Sequence, residues 1–254
     1  MNALTVDIGN TTIAFAWVRN KRIIFVWRIE TDLRPQKLKR KLSRLLHQMV
    51  QRYARPQNIL ICSVVPQALI VVEKELKHFF PQPVIVVGRD VFVPIKNRYR
   101  FPQNVGQDRL LCAHAARMLY GTPLIVIDLG TAITFDAVNK KGEYLGGVIV
   151  PGLRLSAEAL FLKTALLPQI TIKAPRSVIG RDTQESILSG LFYGYGSLCQ
   201  GLIQNISQKL KFKPKVVMTG GHTFLMKKFI PQKIRVVDED LVFKGMLLLI
   251  DQNT

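Results

Sequence analysis

Residues 4–16 read Leu-Thr-Val-Asp-Ile-Gly-Asn-Thr-Thr-Ile-Ala-Phe-Ala, and residues 125–137 read Ile-Val-Ile-Asp-Leu-Gly-Thr-Ala-Ile-Thr-Phe-Asp-Ala. Each stretch is an apolar strand ending in Asp, then a Gly turn rich in Thr, then a second apolar strand. The aspartates, Asp7 and Asp128, stand 128 − 7 = 121 residues apart in a chain of 254, close to half its length. A Gly two residues beyond the Asp lets the backbone turn tightly and approach a ligand with no Cβ in the way. Thr11, Thr12, Thr131 and Thr134 add hydroxyl donors to the loop N–H groups, a set suited to phosphate oxygens. An Asp at a strand end can hold a hydrated Mg²⁺ or another cation beside those phosphates. Two such loops facing each other would form a nucleotide cleft.

One copy alone reads equally well as a tight hairpin whose Thr and Asp only satisfy the turn. Repetition at matching positions weighs against that, because halves repeating one supersecondary unit share an architecture. Working outward from the first copy, the pattern predicts strands at 3–7, 12–18 and 22–29, a helix at 36–54, a strand at 58–64, a helix at 67–79 and a strand at 84–87. From the second copy it predicts strands at 124–128, 132–138 and 144–150, helices at 153–165 and 183–210, and a strand at 215–219. A short helix near 222–228, a strand at 234–237 and a helix at 240–251 complete it. Three strands in a meander followed by alternating helix and strand give a β-β-β-α-β-α-β order in each half. The expected division is residues 1–110 and 111–254.

Between the halves, Gly106-Gln107-Asp108-Arg109 opens a helical stretch of about 108–120, stopped by Gly121 with Pro123 just beyond. Asp108 is expected at the helix N-terminus, where free N–H groups and the dipole favour a carboxylate. It is either a simple cap or, near a γ-phosphate, a group that accepts a proton from a substrate hydroxyl.

Hydrophobic residues make up 48% of the chain, which fits a well-buried α/β protein and excludes disorder. No early segment reads as a signal peptide, and no apolar run nears the roughly 20 residues needed to span a bilayer. Cys62, Cys112 and Cys199 are far apart and lack CxxC spacing, so they read as buried reduced thiols of a cytoplasmic protein. The 36 basic and 17 acidic residues leave a net charge of +19. From Leu33 to Val72 there is no acidic residue, while Arg34, Lys37, Lys39, Arg40, Lys41, Arg44, Arg52 and Arg55 are present. Such a run suits a nucleic acid or an anionic membrane. Leu38, Leu42, Leu45, Leu46, Met49, Val50 and Tyr53 recur at helical spacing within it, so it reads as the solvated face of an amphipathic helix with no nucleic-acid partner.

Taken together, these motifs strongly resemble type III pantothenate kinase. The resemblance is carried by Asp7-Ile8-Gly9-Asn10-Thr11, Gly106-Gln107-Asp108-Arg109, Asp128-Leu129-Gly130-Thr131-Ala132 and Gly142-Glu143-Tyr144-Leu145-Gly146-Gly147. It continues through Pro151-Gly152, Gly180-Arg181-Asp182-Thr183, Gly190-Leu191-Phe192-Tyr193-Gly194 and Thr219-Gly220-Gly221. It covers essentially the whole chain in one order. The fold it implies is α/β: two ribonuclease-H-like halves of the acetate and sugar kinase, chaperone and actin superfamily, with the nucleotide cleft between them. The activity it implies is ATP-dependent phosphorylation of the pantothenate 4′-hydroxyl, the opening step of coenzyme A synthesis. A cytoplasmic homodimer, a divalent metal (magnesium) and a monovalent cation (potassium or ammonium) are implied with it.

Residue by residue, the resemblance assigns ATP to Asp7, Ile8, Gly9, Asn10, Thr11, Thr12, Ile13, Ala14 and Thr131. It assigns pantothenate to Tyr99, Gly106, Gln107, Asp108, Arg109 and Thr183, the proton to Asp108, and the monovalent cation to Asp128. Arg109 can take the pantothenate carboxylate in a forked contact. The departures are Thr12 where Asn is usual, Ile133 where Thr is common, and Gln107 where a small residue is usual, which could tighten the pantothenate pocket. Two rival readings remain: a non-catalytic nucleotide-binding relative acting as a regulatory accessory factor, and a nuclease. The nuclease would need several carboxylates around two metals, and in the first half only Asp7 ends a strand at the site.

Overall fold

Large and small apolar residues alternate along the first hairpin, and that alternation sets which helices cover it. The computed structural model describes residues 1–230 and 236–252. Strands β1 (Asn2–Ile8), β2 (Thr12–Arg19) and β3 (Arg22–Glu30) form an antiparallel meander. Asn20 and Lys21, both at positive φ, make a two-residue turn whose twist matches the strands it joins. On one face Leu4, Val6, Ile8, Ile13, Phe15 and Trp17 point into a core with α1 (Pro35–Arg52) and α2 (Pro66–Phe79). On the other, Ala3, Ala14, Ala16 and Val18 are smaller, and the last helix fills the space with Phe243, Met246 and Ile250.

Both α1 and α2 start on a proline at the first turn, where the missing N–H costs no hydrogen bond. Strand β4 (Asn58–Ser63) returns parallel to β1, and β5 (Val84–Val86) parallel to β4. The resulting sheet order is β3-β2-β1-β4-β5.

Helix α3 (Gln107–Tyr120) leads to β6 (Leu124–Leu129), β7 (Ala132–Val138) and β8 (Tyr144–Pro151). After α4 (Leu153–Lys163), α5 (Thr183–Ser189) and α6 (Tyr195–Leu210) come β9 (Lys215–Thr219), α7 (Thr223–Met226), β10 (Val236–Val237) and α8 (Leu241–Gln252). The second sheet runs β10-β9-β6-β7-β8, the first order read from its other end, with the same parallel and antiparallel pairs. The expected repeat is therefore present strand for strand. Of the strand expected at 234–237, residues 234 and 235 lie outside the described residues.

The helix expected at 183–210 is broken in one place: Gly190–Gly194 is a π-helical turn between α5 and α6, the five-residue motif noted above. Two compact units result. The first is Met1–Pro94, Gln103–Ala115 and the stretch from Leu241 onward; the second is Ile95–Pro102 and Ala116–Asp240. All three cysteines are buried free thiols, and burial pushes Cys199 up to about 12. No helix among the described residues is long and apolar enough to cross a membrane.

Candidate active site

In the first unit, Asp7 is the penultimate residue of β1, in register with Ala14 on β2 and Cys62 on β4. The loop beyond it is closed by the Gly9 N–H on the Thr12 carbonyl at 3.0 Å. Thr31 braces it from outside, its hydroxyl on the Gly9 carbonyl at 2.7 Å and its N–H on the Thr11 carbonyl at 3.0 Å. Asn10, Thr11 and Thr12 are exposed, whereas Ile8, Ile13 and Ala14 are buried. The loop thus offers polar tips on an apolar base.

The Gly106–Arg109 segment lies at the end of β4: a Cβ on Gly106 would stand 3.5 Å from Val64. The Leu110 N–H reaches the Gly106 carbonyl at 3.3 Å, so the helix begins at Gly106. Asp108 therefore stands in the first turn of α3, at the helix N-terminus as expected, two residues past Gly106. Its Oδ1 accepts the Arg109 N–H at 2.8 Å.

The Cys62 thiol ties these pieces together. Burial raises its pKa most, and the charges of Asp7, its register partner across β1 and β4, and of Asp108 raise it further. Gln107 turns elsewhere. Its side chain covers Gly88, with Cγ and Cδ 2.7 Å from where a Cβ would stand, and Gly88 has φ +87°.

In the second unit, Asp128 is the penultimate residue of β6, in register with Thr134 and Thr219. Gly220, at φ +94°, makes room for its carboxylate, because a Cβ there would fall on Asp128 Oδ1. The carboxylate so placed, with the hydroxyl residues Thr134 and Thr219 in register on either side, is a hard oxygen donor set of the kind that suits a cation. Thr131 is exposed, and its carbonyl takes the Gly152 N–H at 2.9 Å.

His222 was not picked out from the sequence, although it follows Thr219-Gly220-Gly221 directly. Its N–H binds the Leu129 carbonyl at 3.0 Å. Burial, then the charge of Arg154, lowers its pKa against the pull of the Gly130 and Leu129 carbonyls.

Tyr99 also belongs to the second unit. Its ring lies on Gly146, 3.0 Å from where a Cβ would be, and its N–H bonds Asn97 Oδ1 at 2.9 Å. The segment carrying it is strapped to β8 by Arg98 N–H on the Tyr144 carbonyl at 2.8 Å and Tyr144 N–H on the Lys96 carbonyl at 2.9 Å. Glu143 closes the strap on Arg98 at 2.8 Å and Lys96 at 3.4 Å. Thr183 is the exposed first residue of α5, which Asp182 caps through the Glu185 N–H at 2.7 Å. The structure thus joins the first loop with Gly106–Arg109 in one unit. Asp128, Thr131, Tyr99 and Thr183 stand in the other. Among the described residues no group of three or more His, Cys, Asp or Glu is placed to hold a metal.

The chain is similar along its length to known proteins. A sequence model described as "Type III pantothenate kinase" matches residues 3–205. The type III pantothenate kinase of Persephonella marina is 41% identical over 220 residues, covering 86% of each chain. That of Citrifermentans bemidjiense is 37% identical over 256 residues, covering 98% of this chain and 99% of the other. Among solved structures, a Campylobacter jejuni protein described as a Baf-family transcriptional activator covers 98% of both chains at 20% identity and TM-score 0.63. The ethanolamine utilization protein EutJ of Carboxydothermus hydrogenoformans covers 98% of this chain and 90% of the other at 15% identity and TM-score 0.58. At those identities the structures speak for the fold alone, an α/β fold with two five-stranded mixed sheets. The sequence matches settle descent: this chain belongs to the type III pantothenate kinase family.

Proposed function

We propose that this chain transfers the γ-phosphoryl group of ATP to the 4′-hydroxyl of pantothenate, opening coenzyme A synthesis. The observation that carries it is that the Asp7 loop and the Gly106–Arg109 segment meet at one end of β4, Asp7 in register with Cys62 and Gly106 packed against Val64. A phosphate loop and a carboxylate able to take a proton stand together there. The exposed N–H and hydroxyl groups of Asn10, Thr11 and Thr12 hold the ATP phosphates, with Thr131 contributing from its own loop.

Asp7 with its waters is the natural holder of a divalent metal, hard oxygen matched to hard cation. When bound, that ion neutralises charge on the transferred group. Asp108 accepts the hydroxyl proton as the oxygen attacks phosphorus. Arg109 pairs with the pantothenate carboxylate, Tyr99 and Thr183 line the pocket, and Asp128 holds a monovalent cation.

The reading extends to a cytoplasmic homodimer. Leu162, Leu166 and Ile179 of the second unit are each apolar and exposed, side chains that a partner protomer could cover. The decisive experiment is a coupled assay of magnesium-dependent ATP consumption with and without pantothenate. A marked rise on adding pantothenate is expected. ATP binding with no stimulated turnover would point instead to a regulatory nucleotide-binding relative.

A further inference from the structure

In the second sheet Asp128 is flanked in register by two hydroxyl residues, Thr134 on β7 and Thr219 on β9. The same place in the first sheet holds Asp7 between Ala14 and Cys62. The repeat has kept the aspartate and changed what stands beside it. Directly opposed side chains of an antiparallel pair lie about 5 Å apart at Cβ, so Asp128 and Thr134 share one face and one small volume.

The Thr134 hydroxyl donates to Asp136 Oδ2 at 3.0 Å. Asp136 is 1% exposed, and its Oδ1 takes the Tyr144 hydroxyl at 2.7 Å. A threonine hydroxyl has a single proton to give. With that proton on Asp136, Thr134 Oγ1 presents only lone pairs toward the side of Asp128. Two acceptors held side by side repel, and a cation between them turns that repulsion into attraction on both sides. Gly220 lets the Asp128 carboxylate pack close to the backbone there, since a Cβ would strike Asp128 Oδ1 and Leu129.

Resting on the reading that Asp128 holds a monovalent cation, we propose that Thr134 is a second oxygen ligand of that cation. Asp136, backed by Tyr144, is the positioning residue that keeps Thr134 turned as an acceptor. One carboxylate with neutral oxygens around it suits a singly charged hard ion. The first unit lacks the arrangement, which is why the two loops of the repeat take different ions.

The test measures ATP binding by calorimetry, without pantothenate, across a potassium titration balanced with tetramethylammonium chloride. Thr134→Val keeps the side-chain volume and removes the oxygen. It should raise the half-saturating potassium concentration about 10–100-fold, the usual loss when a metal's supporting contacts are removed. Thr134→Ser should restore it. Asp136→Asn turns an amide donor toward Oγ1 and should weaken potassium as Thr134→Val does. If that variant does not fold by circular dichroism, the Val and Ser pair decides alone. Folded Thr134→Val with an unchanged potassium response, while Asp128→Asn loses the response, overturns the inference and leaves the Asp128 site standing. Asp128→Asn with a full response overturns the underlying reading itself.

Discussion

Arg109 donates its backbone N–H to the Asp108 carboxylate at 2.8 Å, so the residue that carries the guanidinium also orients the proposed base. Asp108→Asn keeps an oxygen for that N–H and removes the charge and the basicity. Turnover is expected to fall by about 10²–10⁴-fold, the usual share of general base catalysis, with little change in ATP affinity. Arg109→Ala keeps the N–H and should act mainly by raising KM for pantothenate, a ground-state contact. Steady-state kinetics on variants checked by circular dichroism separates the two. A well-folded Asp108→Asn enzyme at the wild-type rate would leave Asp108 as a structural residue of the first turn.

Glu143 is pushed down to about 2, chiefly by its hydrogen bond from Arg98 and next by Asn139. A carboxylate with a folded value below its unfolded one stabilises the native state above the unfolded pKa, and that contribution fades as pH falls toward the folded value. Because Glu143 fastens the strap that carries Tyr99, Glu143→Gln should lower the melting temperature at pH 7 and raise KM for pantothenate. The melting-temperature gap to wild type should shrink as pH drops from 4.5 toward 2. A gap that stays constant over that range would show that charge at this position is not what holds the strap.

The strand order of both halves was legible because apolar alternation and the Asp-x-Gly turns are local signals that tertiary packing only reinforces. The start of α3 was legible to within a residue from its Gly-Gln-Asp-Arg opening and Gly121 stop, although the Gly106 carbonyl and not the Asp108 side chain opens the helix. The π turn at Gly190–Gly194 carries no periodicity distinct from a helix, so the two flanking helices read as one. Asp136 and His222 escaped notice for another reason. Each acts through partners on other strands or loops, and such register is not written in any local motif.

On α1, Lys41 is tied to Glu30 at 3.3 Å and Asp32 at 3.8 Å, and Lys39 lies 3.8 Å from Glu75. Lys37, Arg40 and Arg44 make no ion pair among the described residues. Changing those three together to Gln should leave turnover and melting temperature nearly unchanged, since exposed charges contribute about 0–1 kcal/mol even when paired. A loss of kinase activity at physiological salt would sink the reading of this face as solvated. Tight, salt-sensitive DNA binding by the unmodified protein would do the same.

The first phosphate loop and the residue that braces the second, Gly152 just past β8, should differ in how much bulk they tolerate. A Cβ on Gly9 would meet the Thr12 carbonyl at 3.3 Å, a contact that a few tenths of an ångström relieve. A Cβ on Gly152 would strike the carbonyls of both Gly130 and Thr131, while the Gly152 N–H is already committed to the Thr131 carbonyl at 2.9 Å. Those atoms are backbone and cannot swing aside, so Gly152→Ala must move the whole Gly130-Thr131 turn. Overpacking of that kind costs about 1–3 kcal/mol, and here it falls on residues proposed to touch the nucleotide. Gly152→Ala should therefore raise KM for ATP at least tenfold, roughly what 1.4 kcal/mol converts to. Gly9→Ala should stay within about threefold of wild type on the same scale, and KM for pantothenate should move little in either variant. A folded Gly152→Ala enzyme with unchanged KM for ATP would mean that the turn braced by Gly152 does not contact nucleotide, and Thr131 would lose its assigned role.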